Sequence, residues 1–206
     1  RALARLQGAG GLIPAGAAAV LDRELSGIAP TPAELTAGTA AAGVPVPALV
    51  AALRQKLSRP AADYLHFGAT SQDIVDTALM LRLARTLALF EARLVDIVVQ
   101  LSALAARHRA TPTAGRTRGQ IATPISFGLR VATWTLPLAR ARHRLARLRR
   151  EALVVQLGGA SGDLAAMNVS GRAAELAGAL ARELGLAPSL PWMTDREPLR
   201  RIACEA

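Results

Sequence analysis

The 206 residues, 51% hydrophobic and only 3% aromatic, are enough for one or two domains with a substantial core; the apolar content is Ala, Leu and Val, so the composition points to an all-α protein. The formal charge is +10, and Lys56 is the only lysine among 25 basic residues; such an excess directs attention to nucleic acid, acidic membranes or anionic substrates, while arginine beside so much Ala and Gly also fits a GC-rich coding sequence. One cysteine, Cys204, excludes an internal disulfide and fits a reducing cytoplasm, no His/Cys group has metal-ligand spacing, and no apolar run is long and charge-free enough to span a membrane.

Residue 1 lies inside an Ala/Leu/Arg pattern that already reads as helix, and the chain stops in what reads as the first turns of another, so an internal piece of a longer protein is expected. Over residues 1–60, Gly10-Gly11, Pro14, Pro30, Pro32, Pro45 and Pro47 cut the sequence into several short helices. The last runs from Pro47 to Ser58, with Leu49, Val50, Leu53 and Leu57 on one face and Pro60 as a stop. A loop is expected from Arg59 to about Ser71. From Asp73 to His108 there is neither Gly nor Pro, and Leu79, Leu83, Leu87, Phe90, Leu94, Ile97, Leu101 and Leu104 recur at helical spacing. A single helix there would be roughly 50 Å long, a length that suits a bundle. The sequence thus divides into an N-terminal helical region, 1–72, and part of a long-helix bundle, 73–206.

A Thr/Pro/Gly-rich loop is expected from Ala110 to about Thr123, followed by a second long helix from Pro124, taken as its first turn, to Val155. Pro137 should kink it. The run Arg140 to Arg150 invites a nucleic-acid reading, but Leu145 and Leu148 give it one apolar side, as in a partly exposed bundle helix. Gly158 to Gly162 breaks the chain, and a shorter helix from about Gly171 to Leu184 ends at Gly185.

The chemistry lies in the loops. His66-Phe67-Gly68-Ala69-Thr70-Ser71-Gln72-Asp73 leads into the long helix; Thr70, Ser71 and Asp73 supply N-cap oxygens, and the free N–H groups of a first helical turn can hold an anion. A plain N-cap with an incidental histidine is the alternative. Gly115-Arg116-Thr117-Arg118-Gly119-Gln120 offers several donors and no nucleophile, which suits carboxylate or phosphate recognition or merely a solvated basic loop. The glycine run at 158–162 has neither a preceding strand nor a following Lys, so it makes a poor phosphate loop. His108 and His143 sit among charged residues and read as parts of solvated faces.

Taken in order, these segments resemble the fumarase/aspartase superfamily. YLHFGATSQDIVDTALMLRLA (Tyr64 to Ala84) is similar to its first signature, His-x-Gly-x-Thr-Ser-x-Asp, and GRTRGQIATPISFG (Gly115 to Gly128) to its second. VVQLGGASGDLAAM (Val154 to Met167) and LPWMTDREPL (Leu190 to Leu199) continue the family's order. The phrases FGATSQD, GRTRGQ and LPW look closest to the branch of bacterial 3-carboxy-cis,cis-muconate lactonising enzymes.

The resemblance implies a homotetramer built on a bundle of long helices, with each active site drawn from three subunits, a small polycarboxylate substrate, and no metal or organic cofactor. It implies that Thr70 and Ser71 bind a substrate carboxylate, that His66 contacts substrate or donates a proton, with His66 and Ser71 in the catalytic set, and that Arg116, Thr117, Arg118 and Gln120 line the same site. Arg118 stands where many lyase relatives carry a histidine directly after Gly-Arg-Thr, Ile121 where some lactonising enzymes carry one, and Met193 and Asp195 where His and Gln are common. The mobile Gly-Ser-Ser-x-Met-Pro-x-Lys-x-Asn-Pro loop that bears the family's catalytic serine does not occur in these residues. The activity implied is lactonisation of 3-carboxy-cis,cis-muconate to 4-carboxymuconolactone. A fumarate-releasing lyase such as adenylosuccinate lyase is the nearest rival, and a basic helical nucleic-acid-binding protein is the rival from another class.

Overall fold

Alanine-rich segments cut by Gly and Pro can form helices only as long as the punctuation allows. The computed structural model, which describes residues 1–168 and 171–205, has four of them before residue 60: α1 (Ala2–Ala9), α2 (Ala15–Glu24), α3 (Pro32–Ala42) and α4 (Val46–Lys56). Helix α3 carries the clearest start signal. The Thr31 side chain accepts from Glu34 N, the Glu34 side chain takes the Thr31 N–H, Pro32 opens the first turn, and Gly43 closes the helix at φ 73°. Lys56 and Thr31 together push the Glu34 carboxyl down to about 2.

Instead of a featureless loop after Arg59, a 3₁₀ turn at Ala61–Tyr64 packs Ala61 and Ala62 into a core with Ala4, Ile13, Ala17, Ala18, Leu21 and Leu57. The long helix follows as α5 (Ser71–Arg107), 37 residues without a break. Its periodicity is as expected, but its burial is not. Met80 and Leu87 are buried, whereas Phe90 and Ile97, on the stripe read as core-facing, are 49% and 44% exposed. Periodicity fixes which residues share a face; whether anything covers that face is a tertiary matter.

The expected loop at 110–123 is a β-hairpin, β1 (Pro112–Thr117) paired antiparallel with β2 (Gln120–Ser126). Its reversal at Arg118-Gly119 has φ of 48° and 81°, the two positive values a type I′ turn requires. Gly115 sits at a bulge where a Cβ would come within 2.4 Å of Thr123 O. Pro124 therefore belongs to β2 rather than to a first helical turn. Helix α6 (Phe127–Glu151) starts three residues later, with the Ser126 hydroxyl accepting from Leu129 N. Pro137 lies inside α6, and Leu145 and Leu148 are its buried face within the arginine run.

Helix α7 (Ala173–Leu184) buries Ala173, Leu176, Ala177, Leu180 and Ala181 at helical spacing and ends at Gly185 with φ 67°. Helix α8 (Glu197–Glu205) completes the described chain. By contacts the protein divides into two units, Arg1–Arg82 with Leu153–Pro198, and Leu83–Ala152 with Leu199–Ala206. This division by contacts runs through α5, and residues 153–198 return to the unit that holds the N-terminal helices. Among the described residues, no helix is long and apolar enough to cross a membrane.

Candidate active site

The first unit builds the junction where the signature loop enters α5. His66 has φ 64° and Gly68 φ 68°, two left-handed residues that reverse the chain just before the helix begins. Histidine tolerates that region better than most side chains. At Gly68 only glycine fits, since a Cβ would stand 2.6 Å from Met167 Cγ. From α1 the buried Gln7 donates to Phe67 O at 2.8 Å, and Arg54 of α4 donates to Leu65 O at 3.0 Å. The loop is thus tied down on both sides by side chains reaching its carbonyls.

Asp73 is the hub. Its carboxylate is 2% exposed and accepts four hydrogen bonds: Gly158 N (2.7 Å) and Gln156 Nε2 (3.2 Å) on Oδ1, Thr70 N (2.9 Å) and Gly159 N (3.0 Å) on Oδ2. The glycine run that makes a poor phosphate loop does cradle an anion, and that anion is the protein's own aspartate. Gly159, at φ 69°, passes so close that a Cβ would lie 3.0 Å from Gly68 O. One turn further along α5, the Thr77 hydroxyl donates to Gln156 O at 2.8 Å and accepts from Gln156 N at 3.0 Å.

The same face of α5 fixes the segment 192–196. Gln72 Nε2 donates to Met193 O at 2.7 Å, and Asp76, 4% exposed, accepts both Arg196 guanidinium nitrogens at 2.7 and 3.0 Å. Such a forked pair is directional as well as strong. The guanidinium also stacks over the Trp192 ring at 4.9 Å, while the buried indole donates to Val155 O at 3.0 Å. These contacts give Arg196, Trp192, Asp76, Thr77 and Gln156 structural work that residue type and spacing did not indicate. The one available signal was Asp73 standing three residues after Thr70, a capping-box spacing.

What this frame displays is Thr70 and Ser71. Both are half-buried, and among the described residues neither hydroxyl has a hydrogen-bond partner. They stand at the N-terminus of a 37-residue helix, beside N–H groups that no preceding turn satisfies. His66 is half-buried in the same loop, and burial, opposed by the Asp73 charge and aided by Arg54, lowers its pKa below the usual histidine value. It also borders a mostly apolar cavity of about 170 Å³ lined by Leu21, Val46, Leu53 and Ile74.

The second unit carries the other predicted site residues. Arg116, Thr117, Arg118 and Gln120 cluster at the tip of the β1–β2 hairpin, and all four are exposed. Arg116 donates to Gly119 O across the turn at 3.2 Å, and Arg130 of α6 donates to Ala114 O at 2.6 Å, bracing the strand behind the tip. Ile121, cross-strand partner of Arg116, is 74% exposed. At the hairpin base His108 Nδ1 lies 3.1 Å from Thr111 Oγ1 and its ring meets Phe127 edge-on at 5.3 Å; rather than lying on a solvated face, it forms part of the joint between α5 and the hairpin. Among the described residues no group of three or more His, Cys, Asp and Glu side chains is placed to hold a metal ion.

A family model described as Lyase matches residues 32–202. The chain belongs to this Lyase family. It is similar to the 3-carboxy-cis,cis-muconate cycloisomerase of Pseudomonas aeruginosa, 43% identical over 98% of this chain and 44% of that one. Among solved structures it resembles a fumarate lyase from Mesorhizobium sp. BNC1 (TM-score 0.93, 39% identity, 99% of this chain and 48% of that one) and the 3-carboxy-cis,cis-muconate lactonizing enzyme of Pseudomonas putida (TM-score 0.91, 40% identity, 99% and 47%). The chain spans about half the length of these relatives. The resemblance carried by the signature loops and the long-helix fold of the fumarase/aspartase type is borne out.

Proposed function

We propose that the full protein is a cycloisomerase that interconverts 3-carboxy-cis,cis-muconate and 4-carboxymuconolactone. The observation that carries this reading is the 43% identity, extending over 98% of the chain, to the Pseudomonas aeruginosa protein of that name. In the forward direction one substrate carboxylate adds across a carbon–carbon double bond and the adjacent carbon takes up a proton. The nucleophile belongs to the substrate and is already ionised near neutral pH, so tethering replaces activation by a base. The site has to bind several carboxylates, stabilise an electron-rich intermediate and deliver one proton.

The roles follow from that need. Thr70 and Ser71, with free hydroxyls at a helix N-terminus, hold one carboxylate, and Ser71 with His66 belongs to the catalytic set. His66, whose pKa is lowered by burial, is mostly neutral at pH 7 and hydrogen-bonds the substrate, donating through one ring nitrogen. Arg116, Thr117, Arg118 and Gln120 bind the remaining charge; Arg118 stays protonated and cannot act as an ordinary base. We further propose a homotetramer with sites shared between subunits, a cytoplasmic enzyme, a reaction that needs no metal or organic cofactor, and a division of the whole enzyme into the N-terminal helical region 1–72 and a long-helix bundle from residue 73.

A second reading, release of fumarate by β-elimination, is favoured by the name of the Mesorhizobium structure at TM-score 0.93. The test is ultraviolet absorbance with the full-length protein. Turnover of 3-carboxy-cis,cis-muconate with none of adenylosuccinate is expected, and the converse result overturns the proposal.

A further inference from the structure

Gln156 sits between Val155 and Leu157 in a run of buried aliphatic residues and is itself 1% exposed. A primary amide at such a place is costly unless its hydrogen bonds are made, and here they are. Oε1 accepts from Trp192 N at 2.8 Å, Nε2 donates to Asp73 Oδ1 at 3.2 Å, and both main-chain groups of the residue are bonded to the Thr77 hydroxyl. Three segments of the first unit therefore meet on one side chain: the start of α5, the glycine run, and the stretch around Trp192.

We propose that Gln156 is a positioning residue for the carboxylate-binding end of α5: acting through Asp73, it sets the backbone at Thr70 and hence the placement of the Thr70 and Ser71 hydroxyls. The inference rests on the reading that those hydroxyls hold a substrate carboxylate. Asp73 shares its two oxygens between distinct tasks. Oδ1 is held by Gln156 and Gly158, which leaves Oδ2 to the N–H groups of Thr70 and Gly159. Rotation of the carboxylate would misplace the Thr70 N–H, and the Gln156 amide is the one side-chain donor of the four that opposes it. Gln156 touches neither hydroxyl and acts only through Asp73.

Gln156→Met in the full-length protein keeps the length and apolar bulk of the side chain and removes both amide bonds. With 3-carboxy-cis,cis-muconate as substrate, KM should rise about tenfold, because misplaced hydroxyls hold the substrate carboxylate less well, and any fall in kcat of the folded enzyme reports displacement of Ser71 from the catalytic set. A merely structural role would lower the folded fraction, and so the apparent kcat, and leave KM alone. Should Gln156→Met fail to fold, Gln156→Asn carries the same test, since it stays a neutral amide and, one methylene shorter, no longer reaches Asp73 and Trp192 N together. The second arm repeats the substitution in Thr70→Ala/Ser71→Ala, where it should change KM by less than about twofold because the groups it positions are gone. A wild-type KM in the folded Gln156 variant, or an equal rise in both backgrounds, overturns the positioning role alone. Normal kinetics in Thr70→Ala/Ser71→Ala itself overturns the carboxylate reading and this inference with it.

Discussion

The entry to α5 and the tip of the β1–β2 hairpin are both polar loops beside long helices in the sequence, yet they are built on opposite plans. At the α5 entry a buried carboxylate with four donors, a glutamine bonded at both ends of its amide and a forked Asp76–Arg196 pair fix the backbone, so that Thr70 and Ser71 project from a rigid frame. At the hairpin tip the guanidinium of Arg116 reaches, among the described residues, only the turn carbonyl of Gly119, and the side chains from Arg116 to Gln120 are exposed. The difference teaches that polar loops of similar composition can be built at different cost. Preorganisation is supplied where small hydroxyls must be placed accurately, and long charged side chains are left solvated, where an unpaired guanidinium costs little.

The sharpest way to break this contrast is at its hub. Asp73→Ala leaves the buried N–H groups of Gly158 and Gly159 without their acceptor, and should cost about 3 kcal/mol or more in folding stability, read by urea denaturation. If the α5 entry is not a rigid frame, the variant will unfold at the wild-type urea concentration. Thr70→Ala with Ser71→Ala tests what the frame displays. Since neither hydroxyl has a partner among the described residues, stability should stay within about 0.5 kcal/mol, while kcat/KM for 3-carboxy-cis,cis-muconate falls about tenfold or more.

On the hairpin the dissociation should take a different form. Arg118→Gly removes a guanidinium and at the same time relieves a non-glycine residue at φ 48°. Turnover should drop about tenfold in steady-state kinetics as substrate charge loses its partner, while stability holds or rises by up to about 1 kcal/mol. Arg118→His should not create adenylosuccinate cleavage, because one imidazole at the hairpin tip adds a base and no means of holding a nucleotide; efficient cleavage would instead revive the fumarate-releasing reading.

The smallest effect concerns His66. Its folded pKa lies below 6.5 because burial disfavours the imidazolium. Between the folded value and 6.5 the unfolded chain therefore binds the proton more readily. The penalty is absent above 6.5, grows as pH falls through that window and levels off below the folded value. NMR titration should place the His66 midpoint under 6.5, and His66→Ala should flatten the acid side of the stability profile. A midpoint at or above 6.5 would mean that the loop around His66 is open to solvent rather than half-buried.

The sequence by itself determined the helices. Glycine and proline spacing set the short N-terminal ones, uninterrupted apolar periodicity set α5 to within two residues at its start and one at its end, and the glycine at 185 marked the end of α7, because these are local matters of propensity and capping. The two candidate site loops were also legible, through their residue types and the resemblance those types carried. The hairpin was not, although Thr111, Thr113 and Thr117 and then Ile121, Thr123 and Ile125 alternate as strand residues do; Gly and Pro hid a pattern that strand pairing across Arg118-Gly119 makes stable. Tertiary structure alone decided that Asp73 is an internal anion for the glycine run, that Gln156 and Trp192 close on it, and that Phe90 and Ile97 remain exposed on a helix whose periodicity marks them as core. Each depends on which segments meet in space, over separations of 83 residues between Asp73 and Gln156 and 120 between Asp76 and Arg196, and no local rule of helix or turn formation reaches that far.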